Sequence, residues 1–178
     1  YDTAAFNFLA LIFEGLVELH PETLEPSPLL AASWEVSPDG LTWTFNLRDG
    51  VTWHDGEPFT ADDVVFSVKA WLAVTDSYLP ELPPMILGAE EYRAGTSDEL
   101  AGVSALDDYT VEFTLTSPLP DGAFMRAVNS QPIMAQHQWE GDIVQGMTLD
   151  QLVDLPGMEF PVGTGAFKVV GFDADQAV

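Results

Sequence analysis

Apolar and polar residues alternate strictly along one short stretch of the chain. Between residues 41 and 47, leucine, tryptophan and phenylalanine fill every second position, while Thr42, Thr44 and Asn46 fill the others. A period of two with aromatic and β-branched residues predicts a strand that buries one face. The turn signal Ser-Pro-Asp-Gly at 37–40 precedes it, so residues 34–36 and 41–47 are predicted to pair as a hairpin.

A second alternation follows the pair of aspartates at 107–108. Tyrosine, valine, phenylalanine and leucine occupy every second position from 109 to 115, which predicts another strand. We expect this strand to complete the sheet that the hairpin begins. The segment 20–28 holds three prolines and predicts a connection or a sheet edge.

Helical spacing appears elsewhere in the chain. Thr60 and Asp63 have the spacing of a capping box, and apolar residues recur from 64 to 72 at intervals of three and four. The same spacing predicts a helix from Thr3 to Leu16 that stops near Gly15, followed by an extended piece at 16–19. Shorter helices are predicted at 89–95 and after Asp121.

Near the end of the chain, Gly-Thr-Gly at 163–165 precedes residues typical of a strand. A dinucleotide-binding loop opens a helix, and the Gly-Lys-Ser/Thr ending of a P-loop is absent from the sequence. The pattern therefore favours a tight turn into a strand over a phosphate site.

Composition narrows the function classes. The 178 residues suffice for one sizeable core or two small ones, and 29 acidic against 5 basic residues give a formal net charge of -24. So much negative charge disfavours nucleic acid and anionic membranes as partners. It favours a well-solvated surface of the kind suited to a salty medium, while attraction of cationic ligands stays an alternative.

The sequence offers little support for catalysis. It has no cysteine and no Gly-x-Ser-x-Gly, and its histidines, His20, His54 and His137, have no partner four residues away. The adjacent acidic pairs point apart on a helix or a strand. His54 lies in a His-Asp-Gly turn, which favours a structural role through local turn bonds. We predict no enzyme activity and no cofactor or metal.

Several longer sequence motifs resemble those of one family, the solute-binding proteins of the oligopeptide, dipeptide and nickel class that serve ABC importers. They are Leu-Leu-Ala-Ala-Ser-Trp-Glu-Val at 29–36, Asp-Gly-Leu-Thr-Trp-Thr-Phe-Asn-Leu-Arg-Asp-Gly-Val at 39–51, Trp-His-Asp-Gly at 53–56 and Phe-Thr-Ala-Asp-Asp-Val-Val-Phe-Ser at 59–67. The blocks at 102–115, 132–137 and 161–172 also match it.

The resemblance implies an α/β fold with mixed sheets and helices: part of a lobe like those of type-II periplasmic binding proteins, with an inserted β-rich subdomain. We expect residues 1–22 and 120–178 to belong to the first lobe and 23–119 to the insertion. Because the family is much longer, we expect the second lobe to be absent and this chain to bind weakly or not at all. Tyr1 in place of a methionine suggests a mature or trimmed protein.

The resemblance also implies where a ligand would lie. The residues it places at the cleft are Phe13, Glu14, Gly15, Leu16, Tyr78, Gly163, Thr164 and Gly165. For Glu14 a solvated helix end, and for Tyr78 packing of its own loop, remain alternatives.

The implied function is capture of a peptide or similar small solute between two lobes by a monomer. The partner would be the permease subunits of an importer, and the location periplasmic or extracellular, with a possible membrane tether outside this chain. A carboxylate-based hydrolase or an adhesion domain, the latter signalled by an exposed patch at Trp43 or Trp53, remain alternatives.

Overall fold

A computed structural model describes residues 11–74, 85–120, 122–129, 131–173 and 176–177. The strands in these ranges are β1 (Val17–Leu19), β2 (Pro26–Pro28), β3 (Ala31–Val36), β4 (Thr42–Leu47), β5 (Val103–Asp107), β6 (Thr110–Thr114), β7 (Phe172–Asp173) and β8 (Gln176–Ala177). The helices are α1 (Ala61–Ala73), α2 (Ala89–Arg93), α3 (Ala123–Asn129), α4 (Gln136–Trp139) and α5 (Leu149–Val153), with a 3-10 turn at Pro156–Met158.

A four-stranded antiparallel sheet in the order β3-β4-β6-β5 is the centre of the fold. The predicted hairpin is confirmed, with Trp34 opposite Phe45. The strand predicted after residue 108 is also confirmed, and it pairs with β4 so that Phe45 lies opposite Val111. Strands β1 and β2 form a separate pair.

Aromatic rings fill the space between this sheet and the helices. Phe45, Phe113 and Phe124 are buried, and the ring centroids of Phe113 lie 5.5 Å from those of both other phenylalanines. Such edge contacts add to the free energy gained by burying the rings. The same hydrophobic cluster includes Leu16 and Phe124, so it contains residues of all three predicted segments; the division at 22 and 119 stays a prediction.

Helix α1 begins as the sequence predicts. Thr60 is its N-cap and forms the capping box with Asp63. Val64, Val68 and Leu72 are buried, which follows the predicted apolar face. Helix α2 and the glycine that follows it also confirm the prediction for 89–95. The capping residue proposed for α3, Asp121, lies outside the described residues.

Two predictions are wrong in part. Leu11 and Ile12 are helical, but Phe13 to Gly15 are not. The carbonyls of this stretch bond to other segments instead: that of Glu14 accepts from Ile133 N–H at 2.9 Å, and that of Gly15 accepts from Leu30 N–H at 3.3 Å. The helix predicted to run to Leu16 therefore ends earlier; its residues 3–10 lie outside the described part.

The strand predicted directly after the glycine turn begins only at Phe172. Phe167 and Val170 are 60% and 71% exposed, so this stretch has no buried face to hold it in a sheet. The Phe167 N–H instead donates to the Leu11 carbonyl at 3.1 Å. Among the helices in the described ranges, none combines the length and the apolar character needed to cross a membrane.

Candidate functional site

The segment Phe13–Leu16 lies between two neighbouring pieces of backbone. Ile133 N–H donates to the Glu14 carbonyl at 2.9 Å, and Ala31 N–H donates to the Leu16 carbonyl at 2.9 Å. Leu16 is buried, while the side chains of Phe13 and Glu14 are half-buried. The segment is thus fixed on both sides and still reaches the surface.

The glycine turn, Gly163–Gly165, packs on the residues immediately before that segment. Gly165 N–H donates to the Ile12 carbonyl at 2.8 Å. A Cβ on Gly163 would lie 1.9 Å from the Ile12 oxygen, and one on Gly165 would lie 2.5 Å from the Leu11 oxygen. Only glycine allows the two backbones to approach this closely, which explains both glycines structurally.

Seven of the eight residues predicted to line a ligand lie in these two segments, which meet through the backbone of Leu11 and Ile12. Thr164 is half-buried between the two glycines. The eighth, Tyr78, lies outside the described residues. That these residues contact a ligand stays a prediction.

The imidazole of His54 bridges the two ends of the glycine turn. Its Nδ1 accepts a hydrogen bond from Gly163 N–H at 3.3 Å, and its Nε2 lies 2.8 Å from the Gly165 carbonyl oxygen. The His54 N–H also donates to the Gly163 carbonyl at 3.0 Å. These bonds agree with the structural role predicted for this histidine, but they are not local, since its ring contacts residues more than one hundred positions later.

Trp53 and Asp63 join this corner to helix α1. The Asp63 carboxylate accepts hydrogen bonds from Thr60 N–H (2.9 Å), Gln136 N–H (2.8 Å) and the Trp53 indole (3.3 Å). Burial raises the pKa of Asp63, and these three donors oppose that rise. The carboxylate thus connects the loop before α1, α1 itself and the start of α4.

Asp55 and His137 form an ion pair next to His54. His137 Nε2 lies 2.8 Å from the Asp55 carboxylate, and the two side chains are 37% and 38% exposed. Burial opposes ionisation of Asp55, but hydrogen bonds from His137 and Glu57 N–H, with the charge of His137, lower its pKa overall. Sequence spacing gave no sign of this pair, because its members are 82 positions apart.

A surface depression of about 540 Å³ lies elsewhere, at the sheet end formed by Asn46, Leu47 and residues 107–110. None of the predicted ligand residues lines it. Trp53 is buried and Trp43 half-buried, so neither forms the exposed patch that would favour an adhesion domain. The described residues contain no group of three or more acidic or histidine side chains placed to hold a metal ion.

Residues 25–178 match the family described as "Bacterial extracellular solute-binding proteins, family 5 Middle". The chain belongs to this family. The membership confirms the resemblance inferred from the sequence motifs given above, which all lie within the matched range. It also accounts for the observed fold of mixed sheets and helices, since solved relatives share it.

Among curated proteins, the chain is 33% identical to a dipeptide-binding protein of Escherichia coli and 31% identical to heme-binding protein A of Haemophilus influenzae, each over 94% of its length. A crystal structure of a periplasmic oligopeptide-binding protein of an ABC transporter from Borrelia burgdorferi superposes with a TM-score of 0.76 at 29% identity over 97% of the chain.

The chain spans 31% and 30% of the two curated relatives and 33% of the solved one. The names of these relatives refer to dipeptides, heme and oligopeptides. Family membership therefore does not by itself identify a ligand.

Proposed function

We propose that this chain is part of the substrate-binding component of an ABC importer, and that the whole protein captures a peptide or a similar small solute. The observation that carries the proposal is the convergence of Phe13–Leu16 and Gly163–Gly165. These two segments, far apart in sequence, meet through Ile12, whose carbonyl accepts a hydrogen bond from Gly165 N–H at 2.8 Å. Phe167 N–H, just after the turn, donates to the Leu11 carbonyl at 3.1 Å.

The surface formed by these two segments suits a ligand because its backbone is held in place by hydrogen bonds and it exposes few side chains. A peptide ligand needs backbone groups and half-buried side chains that hold one orientation before it arrives. The close packing of Gly163 and Gly165 on the Ile12 carbonyl fixes one side, and the bonds of Glu14 and Leu16 fix the other. Tyr78 would add an aromatic contact.

Capture would follow the two-lobe mechanism of the family. A ligand that makes more contacts in the closed state shifts the population of lobe arrangements toward closure. The insertion at 23–119, with its four-stranded sheet, would brace the first lobe and leave ligand contact to the flanking segments. The permease subunits of the importer would receive the closed complex.

The same proposal places the protein in the periplasm or outside the cell, as a binding protein without catalytic activity. The net charge of -24 supports a solvated protein and an approach by neutral or cationic solutes more than by anionic ones. Peptides with a free amino terminus fit this preference.

Calorimetry and native mass spectrometry of the full natural polypeptide with an equimolar mixture of dipeptides and tripeptides would test the proposal. We expect one peptide retained per protein, with no turnover of the mixture after prolonged incubation. Residues 1–178 produced alone should bind the same peptides more weakly. Absence of any retained peptide, or hydrolysis of the mixture, would overturn the proposal.

A further inference from the structure

We propose that His54 is the positioning residue that holds the glycine turn, Gly163–Gly165, in place at the ligand surface. The consequence for binding rests on the proposed function, whereas the consequence for the turn itself does not. The inference gives a role to a histidine that the sequence assigned only to its own local turn.

The hydrogen bonds define the protonation of the ring. Nδ1 accepts from Gly163 N–H, so it carries no proton, and Nε2 must donate to the Gly165 carbonyl 2.8 Å away. The two bonds therefore correspond to the tautomer with its proton on Nε2. One imidazole ring thus bonds both the Gly163 N–H and the Gly165 carbonyl, which are two residues apart on the turn.

The turn depends on such a contact because its glycines have no side chains to bury. Gly163 and Gly165 approach the backbone of Leu11 and Ile12, but the nearby side chains of Phe160 and Phe167 are exposed. Among the described residues, the His54 imidazole contacts both ends of the turn. Just before the turn, Val162 packs on the core and its N–H donates to Gln138 Oε1 at 2.9 Å.

His54 itself stands on a rigid support. The neighbouring Trp53 is buried, its N–H donates to the Glu57 carbonyl at 2.8 Å, and Gly56 N–H donates back to the Trp53 carbonyl at 2.9 Å. A positioning side chain needs this kind of anchored backbone to hold an orientation.

Charged groups hold the same loop from outside. The Lys168 ammonium donates to the His54 carbonyl at 3.1 Å, which ties the segment after the turn to the same residue. The pair of Asp55 and His137 fixes the next position along the loop. Neither contact replaces the two bonds that the imidazole makes.

Four variants separate the contributions. His54→Ala removes both ring contacts but keeps the backbone N–H. His54→Asn places an oxygen where Nδ1 stood, and His54→Gln places a nitrogen donor near the position of Nε2, so each keeps one bond. His20→Ala is the matched control, because His20 Nδ1 likewise accepts from backbone N–H groups, those of Glu22 and Thr23, but within its own turn.

Amide hydrogen exchange measured by NMR on the chain reports on the turn without any ligand. Loss of both ring contacts should speed exchange of the Gly165 amide by about tenfold relative to the amides of β4 and β6. The Asn and Gln variants should fall between His54→Ala and the wild type, and His20→Ala should match the wild type. Exchange at Gly165 that is unchanged, or that rises equally with the sheet amides, would overturn the inference.

Peptide binding by the full natural polypeptide supplies the second readout. We expect His54→Ala to weaken retention of the dipeptide and tripeptide mixture by about tenfold, with partial rescue by Asn or Gln. Wild-type affinity in His54→Ala would contradict the positioning role and leave the proposed function intact. If the wild type retains no peptide, the proposed function fails, and the exchange rate of Gly165 alone decides the role of His54.

Discussion

At the scale of single residues, Asp63 connects more of the fold than its place at a helix start suggests. The sequence predicts its capping bond to Thr60, which depends on a spacing of three residues. Its bonds to the Trp53 indole and to Gln136 N–H depend on how the chain packs, and no local pattern encodes them. The contact of His54 with the glycine turn could not be predicted either, because it also joins positions that are far apart in sequence.

Asp63→Asn should destabilise the protein by about 2–3 kcal/mol. The carboxylate accepts hydrogen bonds from three N–H donors, whereas the amide would turn its own NH2 group toward at least one of them and leave that donor without an acceptor. Urea unfolding followed by tryptophan fluorescence measures the change. Asp62→Asn is the control, since Asp62 is exposed at the same helix start and should change stability by less than about 0.5 kcal/mol. Equal effects of the two substitutions would contradict this account of Asp63.

The pair of Asp55 and His137 predicts a dependence of stability on pH. The folded-state pKa of Asp55 lies below its ordinary value of 3.8, so its ionised form stabilises the fold. That contribution is complete above the unfolded-state value and disappears as pH falls through the lower folded-state value.

Asp55→Asn should therefore cost about 0.2–1 kcal/mol near neutral pH, a small effect because both partners are exposed by more than a third. The difference between the variant and the wild type should shrink toward zero in acid below the range in which Asp55 titrates. Urea unfolding of both proteins across that range gives the comparison. A difference that persists in strong acid would show that Asp55 acts through packing and not through its charge.

At the scale of elements, prediction succeeded where neighbours in sequence are also neighbours in the fold. The hairpin of β3 and β4, strand β6 and the start of α1 follow from alternation, turn residues and capping. The end of the first helix and the strand after the glycine turn were predicted wrongly. In both places backbone groups bond to a distant segment, and that bonding replaces the local structure that the pattern favoured.

Strand β4 carries the aromatic core, so Phe45→Ala should cost about 3–5 kcal/mol. The Phe45 ring is fully buried and contacts Trp34, Phe113 and Phe124. Its removal would leave a cavity between the sheet and helix α3. Thr44→Ala changes the preceding residue of the same strand, on its opposite face, and should cost far less. Denaturant midpoints of the two variants test this, and similar losses would contradict the assignment of the buried face.

The glycine turn allows an equally direct comparison. Gly163→Ala places a methyl group against the Ile12 carbonyl, which would require the turn to move and should cost about 1–3 kcal/mol. Gly171→Ala, in the same terminal segment, meets nothing within 4 Å and should be close to neutral. Thermal unfolding of both variants measures the contrast. If Gly163→Ala is as stable as Gly171→Ala, the close approach of the two backbones is not present in solution.

At the scale of the whole molecule, charge is the dominant feature. With a net charge of -24 on 178 residues, the acidic side chains repel one another in the compact state. Dissolved salt shortens the range of this repulsion from about 30 Å at 0.01 M to about 3 Å at 1 M. We expect the thermal midpoint to rise steadily as sodium chloride increases over this range. A midpoint that stays constant or falls would show that the acidic surface does not limit stability.

Family membership could be predicted from the sequence because long motifs carry it. Most of these motifs form the four-stranded sheet and the start of α1, and the block at 161–172 contains the glycine turn. The ligand surface could be predicted only by resemblance. Its residues are small or unremarkable in sequence, and they meet through backbone contacts between positions about 150 residues apart.

Hydrogen–deuterium exchange of the full natural polypeptide, with and without the mixture of dipeptides and tripeptides, shows whether a peptide binds at the segments Phe13–Leu16 and Gly163–Gly165. We predict that bound peptide slows exchange in the segments that contain residues 13–16 and 163–165. We predict no change at the depression formed by residues 46–47 and 107–110. Protection confined to that depression, or a bound peptide that leaves both predicted segments unprotected, would contradict this prediction.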